Sequence, residues 1–224
     1  MAQADVNDVA RHLGVSPQRV RNMLAHGQLR GQKIGGRWLI DLASLAAVPM
    51  RRGQPLSPRS ARALVAIADG RSPQDLSPSE VSRLRRRWRA LLLEPDPLPS
   101  LRSLLSRRAQ RSQFVGPDAP ALLADPRVVP SGRSDPRSGM ADARLAEGYV
   151  NIGDLQDLVW DHMLTEPALG DVPNVVLYAA SVPPSNPVPW LLIAADLADF
   201  GPREAQQARN LIREHTASRP DGQP

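Results

Sequence analysis

The chain has 224 residues, 42% hydrophobic but only 4% aromatic, enough for a packed core built mostly from Leu, Val and Ala. It has no cysteine, which excludes disulfide frameworks, thiolate catalysis and cysteine-based zinc sites, and no apolar run reaches the ~20 residues of a membrane span. The formal charge of +5 is unevenly spread: residues 1–52 hold eight cations and three acids, 53–115 twelve and five, 116–224 eight and fifteen, so a polyanion is expected at the front and not at the back.

In chain order, Asn7 reads as the cap of a short helix whose inward residues are Val9, Ala10 and Leu13, with Ala10 small where a second helix crosses. Gly14 makes a tight turn, Val15 fills the corner, Ser16 caps the second helix and Pro17 is pre-set for its first turn. On that second helix Val20, Met23 and Leu24 share one side at i, i+3 and i+4. The opposite side carries Gln18, Arg21 and Asn22, with Arg19 on the flank. These are the side chains that read base edges: Gln and Asn pair with adenine, and Arg with guanine. No acid occurs between Asp8 and Asp41.

Gly27 closes the helix, and K-I-G-G-R-W-L-I (33–40) reads as a hairpin turned at Gly35-Gly36, where both residues need positive φ. Lys33 and Arg37 flank the turn and are placed for phosphate, with Trp38 and Ile40 packing beneath. Asp41 is expected to cap a last short helix, Leu42 to Ala47, before P-M-R-R-G-Q-P-L-S-P (49–58), which reads as a linker. The DNA contacts expected from this module are Ser16, Gln18, Arg19, Arg21, Asn22, Lys33 and Arg37, with further phosphate contacts from Arg30, Arg51 and Arg52.

A helical section follows. Ser57-Pro58 starts a helix running to Asp69, with Gly70 as its stop. Ser77-Pro78-Ser79-Glu80 is a capping box for a helix running to about Leu93 that buries Val81, Leu84, Trp88, Leu91 and Leu92. The run R-L-R-R-R-W-R (83–89) on this helix has two readings. Arg85, Arg86 and Arg89 add phosphate contacts, or they form the wet face of a helix whose Leu84 and Trp88 are core. After the break at 94–99, Leu101 to Arg111 reads as another helix.

From Phe114 the elements shorten. Residues 122–132 read as a helix end and a short strand, and the polar 131–139 as a mobile loop. Asn151 to Leu164 reads as an amphipathic helix, 174–180 as a strand and 182–189 as a Pro-rich loop. Helices at 190–199 and from Pro202 to about His215 precede a fraying tail. Asp154, Asp157 and Asp161 share one helix face beside His162; a metal site is weighed there against the wet side of the helix, which is the favoured reading. No nucleophile elbow, phosphate loop or paired-histidine motif accompanies them.

The pattern V-x-D-V-A-x-x-L-G-V-S-P-x-x-V followed by K-I-G-G-R-W-L-I resembles the excisionase/MerR-type winged helix–turn–helix, which implies that the second helix enters the major groove. The stretches L-L-A-D-P-R-V-V-P-S-G, E-G-Y-V-N-I-G-D-L-Q-D-L-V-W-D-H-M-L, N-V-V-L and W-L-L-I-A-A-D-L-A-D-F-G-P-R-E-A-Q-Q-A-R are similar to the C-terminal region of AbiEi-family antitoxins. That resemblance implies a regulator that represses its own operon through the front module and neutralises a nucleotidyltransferase toxin through the back.

The expected fold is α+β, mainly α. It comprises a winged helix–turn–helix at 1–50, a basic linker and helical section at 51–112, an acidic α+β partner or oligomerisation domain at 113–215 and a disordered tail at 216–224. The expected partners are operator duplex DNA, a nucleotidyltransferase toxin and further copies of the chain through homo-oligomerisation or cooperative binding on repeats. No catalytic residue, metal, cofactor or membrane is expected, and the location is expected to be cytoplasmic. The alternative is an excisionase-like architectural DNA-binding protein of a phage or mobile element.

Overall fold

The computed structural model describes residues 3–13, 17–25, 29, 31–41, 54–140 and 142–217. The chain divides into two units, Met1–Arg52 and Gly53–Pro224.

In the first unit, strand β1 (Gln3–Ala4) leads into α1 (Val6–Leu13) and α2 (Pro17–Ala25), followed by β2 (Gly31–Ile34) and β3 (Arg37–Asp41). The strands form an antiparallel sheet in the order β1-β3-β2. Helix α1 starts two residues earlier than an Asn7 cap would set it. The Asp5 carboxylate accepts from the backbone N–H of Asn7 at 2.7 Å and of Asp8 at 2.8 Å, so Asp5 rather than Asn7 holds the free N-terminal donors. Val6, Val9, Ala10, Val20, Met23, Leu24, Leu29 and Ile40 bury together, with Ala4 and Trp38 packed on them. The expected Gly14–Ser16 turn, the Gly27 stop, the helix at 42–47 and the first half of the linker fall outside the described residues.

The second unit runs through α3 (Pro58–Ala68), α4 (Pro78–Leu92), α5 (Leu98–Leu105), β4 (Gln110–Phe114), α6 (Ala119–Ala124), β5 (Val129–Pro130), β6 (Ala146–Asn151), α7 (Leu155–Asp161), β7 (Val175–Ala180), α8 (Trp190–Leu197) and α9 (Pro202–Ala217). Its sheet has the order β4-β7-β6-β5; β6 and β7 are parallel, and the other pairs antiparallel. Strand β7 shows why both faces are covered. Val176 and Tyr178 join the core built by α3, α4, α5, α8 and α9, whereas Val175, Leu177 and Ala179 join the core under α6 and α7.

A division between residues 112 and 113 is therefore not observed: the helical section packs on the same sheet face as α8 and α9. Ala61, Leu64, Leu101 and Leu105 are all but inaccessible there, and that apolar surface has its partner in the sheet and in α8.

The Ser-Pro helix starts at α3 and α4 are as expected. Ser77 and Glu80 exchange side-chain-to-backbone bonds, and Gly70 ends α3 with φ of 75°. Three other expectations shift. Leu92 lies exposed at the edge of the α4 contact face rather than in the core. The helix expected at 101–111 spans only Leu98–Leu105, because Gln110–Phe114 pairs with β7. The helix expected from Asn151 is shortened to Leu155–Asp161, because Asn151 completes β6 against Ala180.

The largest departure is the segment 131–139. It forms two 3-10 turns whose Ser131, Gly132, Asp135 and Ser138 are buried. Its polarity serves a buried network instead of solvent. Ser131 donates to Asp196 at 2.5 Å, Arg133 bonds Glu147 through its backbone N–H at 3.0 Å and its Nε at 3.1 Å, and Tyr178 donates to the other Glu147 oxygen at 3.0 Å. Arg108 donates to Asp196 at 2.6 Å, and the Tyr149 hydroxyl donates to the same oxygen at 2.9 Å. No buried side-chain nitrogen or oxygen among the described residues lacks a partner.

Gly132 has φ of 53°, and a Cβ there would overlap the Glu147 carboxyl. Gly132→Ala is thus expected to lower stability by more than the ~1–2 kcal/mol of left-handed strain alone. Urea denaturation measures it; a midpoint equal to wild type would refute the tight fit.

Candidate nucleic-acid interface

Helix α2 is fixed in rotation by its apolar side: Val20 is fully buried, with Met23 and Leu24 beside it, against Val9 and Ala10 of α1. A helix held that way has one orientation for its remaining side chains. Gln18, Arg21 and Asn22 are accordingly exposed together. They are also linked: Gln18 Nε2 donates to Asn22 Oδ1 at 3.3 Å, and Arg21 donates to Gln18 Oε1 at 3.3 Å, the i to i+4 and i to i+3 spacings of one helix face. The three side chains are bonded to one another on the surface, and α2 itself holds no acid.

The hairpin follows the expected geometry. Gly35 and Gly36 take φ of 55° and 82°, and Ile34 pairs with Arg37 across a two-residue turn. Lys33 is exposed and in register with Trp38, which packs on the first unit's core. Arg19 lies within α2 and Arg37 opens β3, but their side chains are outside the described residues, as are Ser16, Arg30, Arg51 and Arg52 entirely. Strand β1, which extends the wing sheet by pairing with Asp41 and Ile40, was not foreseen. Two residues carry too little pattern to signal a strand.

On α4, Leu84 and Leu91 are buried and Trp88 is half-buried, its ring 6.1 Å from that of Trp190, which in turn stacks on His215 at 4.6 Å. That anchoring turns Arg85, Arg86 and Arg89 outward, and Arg83 and Arg87 are exposed as well. Glu80 at the start of the helix is held below the ordinary carboxylate range, first by the Ser77 side chain and then by its backbone N–H.

Of Asp154, Asp157 and Asp161, the last is held in an ion cluster. Asp161 bonds Arg127 at 2.8 Å, and Arg127 also holds Asp125, whose pKa it draws well below the usual range; His162 completes the cluster at 2.9 Å from Asp125. Among the described residues no group of three or more potential metal ligands is found, and no helix is long and apolar enough to cross a membrane.

Residues 5–48 match the family model described as a helix-turn-helix domain, which covers both helices and the hairpin. No curated protein and no solved structure matches the chain. The first unit thus matches a helix–turn–helix domain, and the whole chain is α+β with helix predominating.

Proposed function

We propose that this chain is a sequence-specific DNA-binding regulator whose helix α2 lies in the major groove. The observation that carries the reading is the exposed, mutually bonded Gln18, Arg21 and Asn22 face on a helix locked by Val20, Met23 and Leu24. Lys33 at the wing contacts phosphate. The reading includes no catalytic step.

Within this class the chain acts as an AbiEi-like antitoxin that represses its own operon and counteracts a nucleotidyltransferase toxin through the second unit. The apolar spacing shared with that family's C-terminal region supports this, as does the presence of a separately cored second unit. Anisotropy titration of the full chain with the DNA upstream of its own gene is expected to show binding tighter than to a random duplex and weakening with salt. Absent or salt-insensitive binding would refute the DNA reading. Relief of toxicity on co-expression with a neighbouring nucleotidyltransferase tests the antitoxin role, and strong bending in a circular-permutation assay would favour the excisionase-like alternative.

A further inference from the structure

Beside α4 lies an open groove of about 570 Å³, walled by Ser72, Pro73 and Leu76 on one side and by Ser82, Arg85, Arg86 and Arg89 of α4 on the other. No carboxylate is among its lining residues. None of the three guanidinium groups meets an acceptor or an aromatic ring among the described residues, whereas Arg102, Arg108, Arg127, Arg133, Arg137 and Arg209 of the same unit all hold carboxylates.

The helix sustains this at a cost. Arg85 and Arg89, like Arg83 and Arg87, are like charges at i, i+4, each pair destabilising an isolated helix. Acids that would relieve the repulsion are abundant elsewhere in the sequence, yet after Glu80 none stands on α4. The outward positions flanking the arginine run include small residues, Ser79, Ser82 and Ala90, so a polyanion can approach the helix closely.

We propose that this groove is a second contact for the phosphate backbone of duplex DNA, carried by the second unit through Arg85, Arg86 and Arg89. The proposal rests on the DNA-binding reading and extends it, since family resemblance places such contacts in the first unit only. Duplex is favoured over single strands because the groove has no aromatic platform for unstacked bases: Trp88, the aromatic of α4, is turned inward on Trp190. The contact carries no sequence preference; it lengthens the footprint and steepens the salt dependence.

The test uses the full chain, a fluorescent random-sequence duplex and a KCl series. Each neutralised phosphate contributes about 0.9 to the slope of log K against log salt, so Arg85→Gln, Arg86→Gln and Arg89→Gln together are expected to reduce its magnitude by about 2.7. The corresponding triple lysine variant is expected to restore it, because a phosphate accepts a point charge. Arg144→Gln, Arg203→Gln and Arg213→Gln, with the same change in net charge, are expected to leave it unaltered.

An unchanged slope in the folded glutamine variant would overturn the proposal, as would an equal drop in the control variant or displacement of duplex by polyglutamate at matched charge. The last result would assign the groove to an acidic protein partner. If wild type binds no duplex, the functional reading falls as well. If Arg21→Ala abolishes operator preference while the glutamine variant keeps the full slope, only this inference falls.

Discussion

Truncating Asp196 to alanine is expected to remove about 3–5 kcal/mol of folding stability, the cost of leaving a buried partner charge uncompensated. Asp196 sits in the last turn of α8 with no solvent contact and takes bonds from Arg108, Tyr149 and Ser131, which come from three separate parts of the chain. Without it, Arg108 retains only Asp199 at 3.3 Å among its carboxylate partners, while its side chain is 7% exposed. Guanidinium or urea denaturation measures the loss. A change below about 1 kcal/mol, the range of an ordinary surface ion pair, would show that the network is solvated in solution.

The same carboxyl gives stability a pH dependence whose sign is unusual for an ion-paired acid. Burial pushes Asp196 up to about 7 despite the opposing pull of Arg108, and burial raises Glu147 as well. A raised acid binds its proton more tightly folded than unfolded. Its contribution is complete below the ordinary carboxylate range and is lost as pH rises through about 7. The melting temperature is therefore expected to fall from mildly acidic to mildly alkaline pH, and Asp196→Asn, which cannot ionise, is expected to flatten that fall. A melting temperature that climbs over the same interval would refute the assignment.

On the reading face, Arg21→Ala and Asn22→Ala are each expected to cost about 1–3 kcal/mol of discrimination between operator and unrelated duplex. Their effects should not add, because Gln18 is bonded to both and loses its restraint when either is removed. Competition titrations measure the discrimination. Asn22→Ala is expected to leave affinity for random DNA nearly unchanged, since the removed group carries no charge. Both residues are exposed, so folding stability should move by no more than about 0.5 kcal/mol. Full retention of operator preference in the double variant would exclude α2 as the reading element.

How much of this was legible in the sequence depended on how local the physics is. The α2 faces follow from a 3.6-residue period, and the starts of α3 and α4 from a cap and a proline within four residues of each other. Asp5 and Asn7 are both competent caps two positions apart, and composition alone does not rank them. The stretch after Leu105 keeps a helix-like pattern, yet β7, some 65 positions later, offers a ladder that a helix there would waste. Segment 131–139 reads as solvent-loving because its partners, Glu147 and Asp196, are distant in sequence. The arginines of the α4 groove were visible, and the loop at 72–76 leads straight into the Ser77 cap, but its fold back against the arginine-bearing face was not.

The first unit's core has one further consequence. Eight buried residues, among those described, hold together a unit of about fifty, near the lower limit at which a chain folds on its own. Its folding is then coupled by mass action to whatever occupies α2: DNA at a hundred times its dissociation constant adds about 2.7 kcal/mol to the folded form. Bound DNA would then act as a thermodynamic ligand for the fold of the first unit. On the proposed function, warming is expected to release DNA as the first unit melts, which binding titrations across a temperature series measure.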